Sequence, residues 1–131
     1  ANVTVIVSDE PVSSPVLSAY DTAIILNQPS MDKFERMVKP GGTLIYDDFG
    51  ILEPPTRTDV DIHCVKAMRP ASEQRLAKCF NMVVLGSFLK VHPIVSLDSV
   101  MKALRKTLPE RHHHLLPMNE EAIRQGAQLI G

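Results

Sequence analysis

The chain has 131 residues, enough for one domain with a real core, and carries 22% charged against 44% hydrophobic side chains at a formal net charge of -1. That balance excludes a disordered polyelectrolyte and offers nucleic acid no basic surface, so no nucleic-acid partner is expected. The longest apolar run, Met82 to Leu89, is interrupted by Gly86 and Ser87 and stops at Lys90, far short of the roughly 20 residues of a membrane span, so no membrane partner is expected either. Val3 to Val7 is valine-rich and scarcely alternates, which predicts a strand covered on both faces. Pro11 to Tyr20, with two prolines and three serines, reads as a surface loop.

The stretch from Thr22 to Asp48 organises the rest. Ala23 to Leu26 is a compact apolar run ending at Asn27 and Gln28, after which Pro29 and Ser30 open a helix, with Ser30 as the expected N-cap. Met31, Phe34, Met37 and Val38 share one face of that helix. Pro40, Gly41 and Gly42 stop it and turn the chain, because proline cannot continue a helix and glycine accepts positive φ. Thr43 to Tyr46 is the return strand. Strand, crossover helix and strand make a parallel, right-handed unit. Asp47 and Asp48 stand just past the strand's carboxyl end, where open α/β sheets place ligands, although a solvated turn is the preferred reading.

Gly50 to Arg57, with Pro54 and Pro55, is irregular. Asp59 to Val65 alternates, Val60, Ile62 and Cys64 opposing Asp61 and His63, the pattern of a strand near a sheet edge where antiparallel pairing is open to it. Ser72 caps a short helix from Glu73 to Cys79, and Asn81 opens an apolar helix, Met82 to Val91, whose Gly86 admits close approach of another helix or backbone. Ser96 is the best cap in the chain, followed by the stripe Leu97, Val100, Met101 and Leu104. Asn119 is the expected cap of a last helix, with Glu120 and Glu121 in its first turn and Ala122, Ile123, Gly126 and Ile130 on its apolar face. The expected fold is α/β: a Rossmann-like, mixed but mostly parallel sheet flanked by helices in three layers, as one domain over residues 1–131.

Candidate chemistry is sparse. Cys64 and Cys79 are the only cysteines, in no CxxC array, which points to a reduced, intracellular, cytoplasmic setting and cannot supply the four ligands of an iron–sulfur cluster. His112, His113 and His114 are adjacent, so their side chains diverge; a loop or a subunit contact fits them better than a metal. No GxSxG elbow, GxGxxG or GxxxxGK[ST] occurs. Hence no catalytic residue and no metal ligand is assigned. The one strand-to-helix connection with suitable chemistry is Asn27, Gln28, Pro29 and Ser30, where amides converge at a helix start and an anionic ligand or mere bracing of the next loop are both open.

VTVIVSDEPVSSP, AIILNQPSMDKF, KPGGTLIYDD, NMVVLGSFL and PMNEEAIRQG, in that order from Val3 to Gly126, resemble the gamma subunit, or the equivalent domain of fused chains, of the 2-oxoacid:ferredoxin oxidoreductases. The resemblance implies a complex that oxidatively decarboxylates pyruvate, 2-oxoglutarate or a branched 2-oxoacid with coenzyme A to acyl-CoA, carbon dioxide and reduced ferredoxin. It places thiamine diphosphate and the iron–sulfur clusters in alpha, beta and delta (ferredoxin-like) partner subunits, leaving this chain an assembly and coenzyme A-handling role without bound cofactors of its own. Asn27, Gln28 and Pro29 match the family's Asn-Gln-Pro block and take ligand or interface roles; Asn81 and Met82 match its Asn-Met block and, with Gly86, take interface roles. The HHHLLPMNEE ending resembles the 2-oxoglutarate and ketoisovalerate branches more than the pyruvate one. The family's opening Gly-Gly-Gln-Gly loop is not present, and Ala1 stands where a methionine would begin a chain, so an upstream segment is expected.

Two other classes remain in view. Strand, helix, KPGG and TLIYDD also resemble the middle of an S-adenosylmethionine-dependent methyltransferase, although that enzyme's glycine-rich loop and acidic ribose-binding residue are not visible. The other is a ligand-free interaction domain.

Overall fold

The computed structural model describes residues 2–12, 18–66 and 78–130. In chain order these form β1 (Tyr20–Ile25), α1 (Gln28–Phe34), β2 (Val38–Tyr46), β3 (Asp61–Cys64), α2 (Phe80–Val91), α3 (Leu97–Thr107) and α4 (Leu116–Gln128), with single 3-10 turns at Glu35–Met37, Asp48–Gly50 and Glu110–Leu115. The strands lie in the order β1-β2-β3 and every pairing is parallel, so β3 takes none of the antiparallel placement left open to it.

Alternation along β2 builds the layers. Leu44 is level with Ala23 and Ile62 and enters one cluster with Ile25, Met31 and Val38, on the face that α1 covers. Ile45, one residue on, is level with Ile24 and His63 and enters the other cluster with Val65, Val83, Val84 and Ala122, under α2 and α4. Both side chains are fully buried, as expected for a parallel strand with helices on either face. The three-layer α/β/α arrangement read from the sequence is therefore present.

Several boundaries moved. The cap of α1 is Asn27, whose Oδ1 accepts from the Ser30 backbone N–H at 2.9 Å. Pro29 lies inside the first turn, where a missing N–H costs nothing. The same displacement recurs in α4, which begins at Leu116 with Pro117 in its first turn; Asn119 is an interior residue whose Nδ2 donates to the Leu115 carbonyl, and no acid stands in the first turn. Likewise α2 starts at Phe80, after a Cys79 that makes no side-chain cap, so Asn81 is its second residue. Ser96 does cap α3, its Oγ accepting from Ser99 N–H at 3.1 Å.

Pro40, Gly41 and Gly42 lie within β2 instead of preceding it. Tyr20 is level with Val38 but Thr22 with Thr43, so the strand bulges through this segment. Gly41 has φ 80°, and a Cβ on Gly42 would stand 2.7 Å from the Asp21 carbonyl, which is why this bulge takes glycine. The segment from Val3 to Val7 is not a strand, and Val3, Val5 and Val7 are exposed; without a neighbouring strand their β-branched side chains have nothing to pack against. The helix expected from Glu73 to Cys79 falls, except for its last two positions, outside the described residues.

Candidate functional site

The carboxyl ends of the parallel strands converge where β1 runs into Asn27 and Gln28 and β2 into Asp47. Gln28 is the hub. Its Oε1 accepts from the backbone N–H groups of Leu52 and Glu53, each at 2.8 Å, and its Nε2 donates to Asp32 Oδ1 at 2.9 Å. One side chain thus ties the start of α1 to the loop after β2, from 24 and 25 residues away. Asn27 spends its Oδ1 on the helix cap. Of the two uses left open for these amides, bracing of the next loop is present in these hydrogen bonds.

Asp47 is not a solvated turn former. It is 2% exposed, and its Oδ1 accepts from Phe49 N–H at 2.9 Å, capping the 3-10 turn Asp48–Gly50. The far side of the loop is pinned by Glu35, whose Oε2 accepts from Thr56 and Arg57 N–H, and by Arg57, whose Nη1 donates to the carbonyls of Glu35 and Val38. Arg57 also pairs with both Asp59 oxygens. That hydrogen bonding raises the Arg57 guanidinium and holds the Asp59 carboxyl below their ordinary values. Beneath the loop, burial foremost and then the Cys64 hydrogen bond push the Tyr46 phenol up.

The helical layer uses its residues differently. Gly86 is buried against Ile123 of α4, Met82 packs half-buried against the core, and Asn81 is exposed. The close approach that Gly86 permits is therefore made within this chain. His113 Nε2 lies 3.0 Å from the Leu108 carbonyl, bracing the 3-10 turn that holds all three histidines. It borders an open cleft of about 320 Å³ with Arg105 and Glu120. A second, mostly apolar cleft of about 350 Å³ lies between Leu89, Val95 and Ile123. Among the described residues no three His, Cys, Asp or Glu side chains converge to hold a metal, and no helix is long and apolar enough to cross a membrane.

Chemically the arrangement positions its own loop. The sequence reading passed over two of its features. One is the bond between Thr43 Oγ1 and His92 Nε2, 2.9 Å long, joining β2 to the end of α2; no local pattern announces a pair 49 residues apart. The other is Phe49 with Leu52, exposed on a loop held by hydrogen bonds at both ends; two large apolar residues among the turn-formers of DDFGILEPP were the available signal.

A small parallel sheet between helical layers, with an amide-braced strand end, defines a Rossmann-like three-layer α/β domain. The chain belongs to the pyruvate ferredoxin/flavodoxin oxidoreductase family, whose model matches residues 1–129. It is 32% identical over 108 residues to the 2-oxoglutarate synthase subunit KorC of Methanocaldococcus jannaschii, covering 81% of this chain and 58% of that protein. It is 29% identical over 126 residues to the ketoisovalerate oxidoreductase subunit VorA of Methanothermobacter thermautotrophicus, covering 95% of this chain and 26% of that one. The gamma subunit of a keto/oxoacid ferredoxin oxidoreductase from Geobacter sulfurreducens superposes with a TM-score of 0.66 at 23% identity, over 83% of this chain and 63% of the other. A 2-oxoglutarate:ferredoxin oxidoreductase from Magnetococcus marinus, solved with 2-oxoglutarate, coenzyme A and succinyl-CoA, superposes with a TM-score of 0.78 at 22% identity, over 93% and 21%. The chain thus spans somewhat more than half the length of KorC. The family match sets the methyltransferase reading aside.

Proposed function

We propose that this chain is the gamma-type part of a 2-oxoacid:ferredoxin oxidoreductase, an assembly that cleaves the carboxyl carbon from a 2-oxoacid, transfers the acyl group to the coenzyme A thiol, and passes the released electrons to ferredoxin. The family match over residues 1–129 carries the reading, and the subunit names of the relatives support it. The similarity to KorC and VorA favours 2-oxoglutarate or a branched 2-oxoacid as substrate.

The residues do not fit the redox groups of such an assembly. A cubane cluster wants four thiolates and the chain holds two cysteines, one of them buried. As membership of the family implies, the thiamine diphosphate and clusters belong to alpha, beta and delta subunits, with ferredoxin as the soluble acceptor and the cytoplasm as the compartment. This chain contributes shape: Asn27, Gln28 and Pro29 shape a contact for coenzyme A or a neighbouring subunit, and Asn81 and Met82 face a partner while Gly86 sets the helix spacing behind them.

Affinity purification of the tagged chain from its host tests this. The expected eluate contains larger thiamine- and cluster-bearing subunits and reduces a viologen dye only with 2-oxoacid and coenzyme A. Recovery of the chain alone, without that reduction, overturns the assignment.

A further inference from the structure

Phe49 is 70% exposed and Leu52 88%, yet the loop that carries them is closely tied down. Phe49 N–H donates to Asp47, Ile51 N–H donates to the Asp48 carbonyl at 3.3 Å, and the N–H groups of Leu52 and Glu53 share Gln28 Oε1. Gly50 sits so close to the end of β1 that a Cβ there would lie 2.5 Å from the Leu26 carbonyl. Between the two exposed residues, Ile51 turns inward and packs against the Leu44 cluster. Anchoring Ile51 from within leaves Phe49 and Leu52 directed outward. Single exposed apolar residues need no explanation, but two large ones on a fixed projection, with Leu26 also exposed at the strand end, form a patch whose ordering entropy is already spent.

We propose that this loop is a docking projection: Phe49 and Leu52 enter an apolar pocket rimmed by Lys and Arg on a partner polypeptide, and Gln28 is the positioning residue that keeps the projection in shape. The charge follows from the segment's accessible side chains, since residues 48–55 hold the part-exposed Asp48 and the exposed Glu53 and no basic side chain. An acidic surround selects a basic rim and steers the encounter. The feature is convex, whereas small-molecule sites are concave, so the occupant is a protein. A large aromatic beside a leucine is the anchor type that carries most of an interface's binding free energy. This rests on the proposed function only in expecting the partner to be a thiamine- or cluster-bearing subunit.

The test co-expresses the full chain with those subunits and compares it with Phe49→Ser/Leu52→Ser, with Gln28→Ala, and with the exchange Gln28→Glu/Asp32→Asn. The exchange keeps an oxygen for the two loop amides and a bond to position 32. Binding by the double serine variant is expected to fall about thirtyfold or more, the size of a hot-spot loss, while its thermal midpoint as an isolated chain stays within about 2 °C of the parent, as for exposed positions. Gln28→Ala loses affinity and the exchange restores it; binding weakens as salt rises. Undiminished assembly of the serine variant overturns the docking claim and leaves the functional assignment standing. Phe49-dependent, salt-sensitive capture of an identified protein without thiamine or clusters does the reverse. Capture of nothing by the unmodified chain overturns both, and Phe49-dependent self-association overturns the partner in favour of a second copy.

Discussion

Gly86 and Gly126 face each other's helices reciprocally: a Cβ on Gly86 would stand 1.9 Å from the Ile123 carbonyl oxygen, and one on Gly126 would stand 1.8 Å from that of Val83. Backbone meets backbone at the crossing of α2 and α4, with neither side chain available to yield. Gly86→Ala or Gly126→Ala must push the helices apart and disturb Val83, Ala122 and Ile123 together. Each is expected to lower stability by about 3 kcal/mol, the upper end for overpacking. Urea unfolding followed by circular dichroism measures it; a loss under about 0.5 kcal/mol, the range of a neutral surface change, removes the crossing as a source of stability.

Thr43 makes the link between layers that the core alone does not. Its side chain is buried and its Oγ1 meets His92 Nε2 at the end of α2. Thr43→Val keeps the shape and deletes the bond, leaving the partly buried His92 nitrogen to find another partner. The expected loss is about 1 kcal/mol, typical of one hydrogen bond, and Thr43→Ser should retain most of the stability. Full stability in the valine variant, with the loss appearing in the serine variant, would assign the effect to the methyl group's packing instead.

What the sequence made legible was the part set by local periodicity. The apolar runs at Ala23 to Leu26, up to Ile25, and Thr43 to Tyr46 lie in strands, Ser96 caps its helix, and Ala122, Ile123 and Gly126 are buried. Two of the three misplaced caps share one cause. Proline is at home in a first turn, so α1 and α4 begin before Pro29 and Pro117, and the expected caps Ser30 and Asn119 lie inside. Val3 to Val7 has strand composition, yet composition does not supply a neighbouring strand. The bracing role of Gln28 depends on amides 24 and 25 residues downstream, a separation that no local pattern encodes.

The Arg57 and Asp59 pair gives stability a pH dependence of known sign. Asp59's carboxyl is held below its ordinary value by the Arg57 hydrogen bond, so the pair's contribution is complete above the ordinary carboxylate pKa and is lost as pH falls through the lowered, folded one. Arg57 is shifted upward, so its contribution is present below its ordinary value and lost only in strong alkali. Asp59→Asn should therefore reduce stability near neutrality and flatten the acid limb of the profile. The check is thermal unfolding at steps from neutral to acid pH. Parallel acid limbs for the parent and the variant would show that Asp59 does not contribute to that limb.

Cys79 and Cys64 separate by environment. Cys79 is buried among Ile45, Val65, Val83 and Val84, and that burial pushes its thiol above the ordinary value. The reactive thiolate is therefore scarce at Cys79 and sterically shielded as well. Cys64, at the end of β3 beside Tyr46, is half-buried. A maleimide at neutral pH is expected to modify Cys64 first and Cys79 more slowly, because burial both shields the Cys79 sulfur and disfavours its thiolate. In denaturant the two rates should converge. Peptide mass mapping over a time course resolves the two sites; comparable labelling in the folded chain would mean that the cluster around Cys79 opens readily, which the packing of Val83 and Val84 against it opposes.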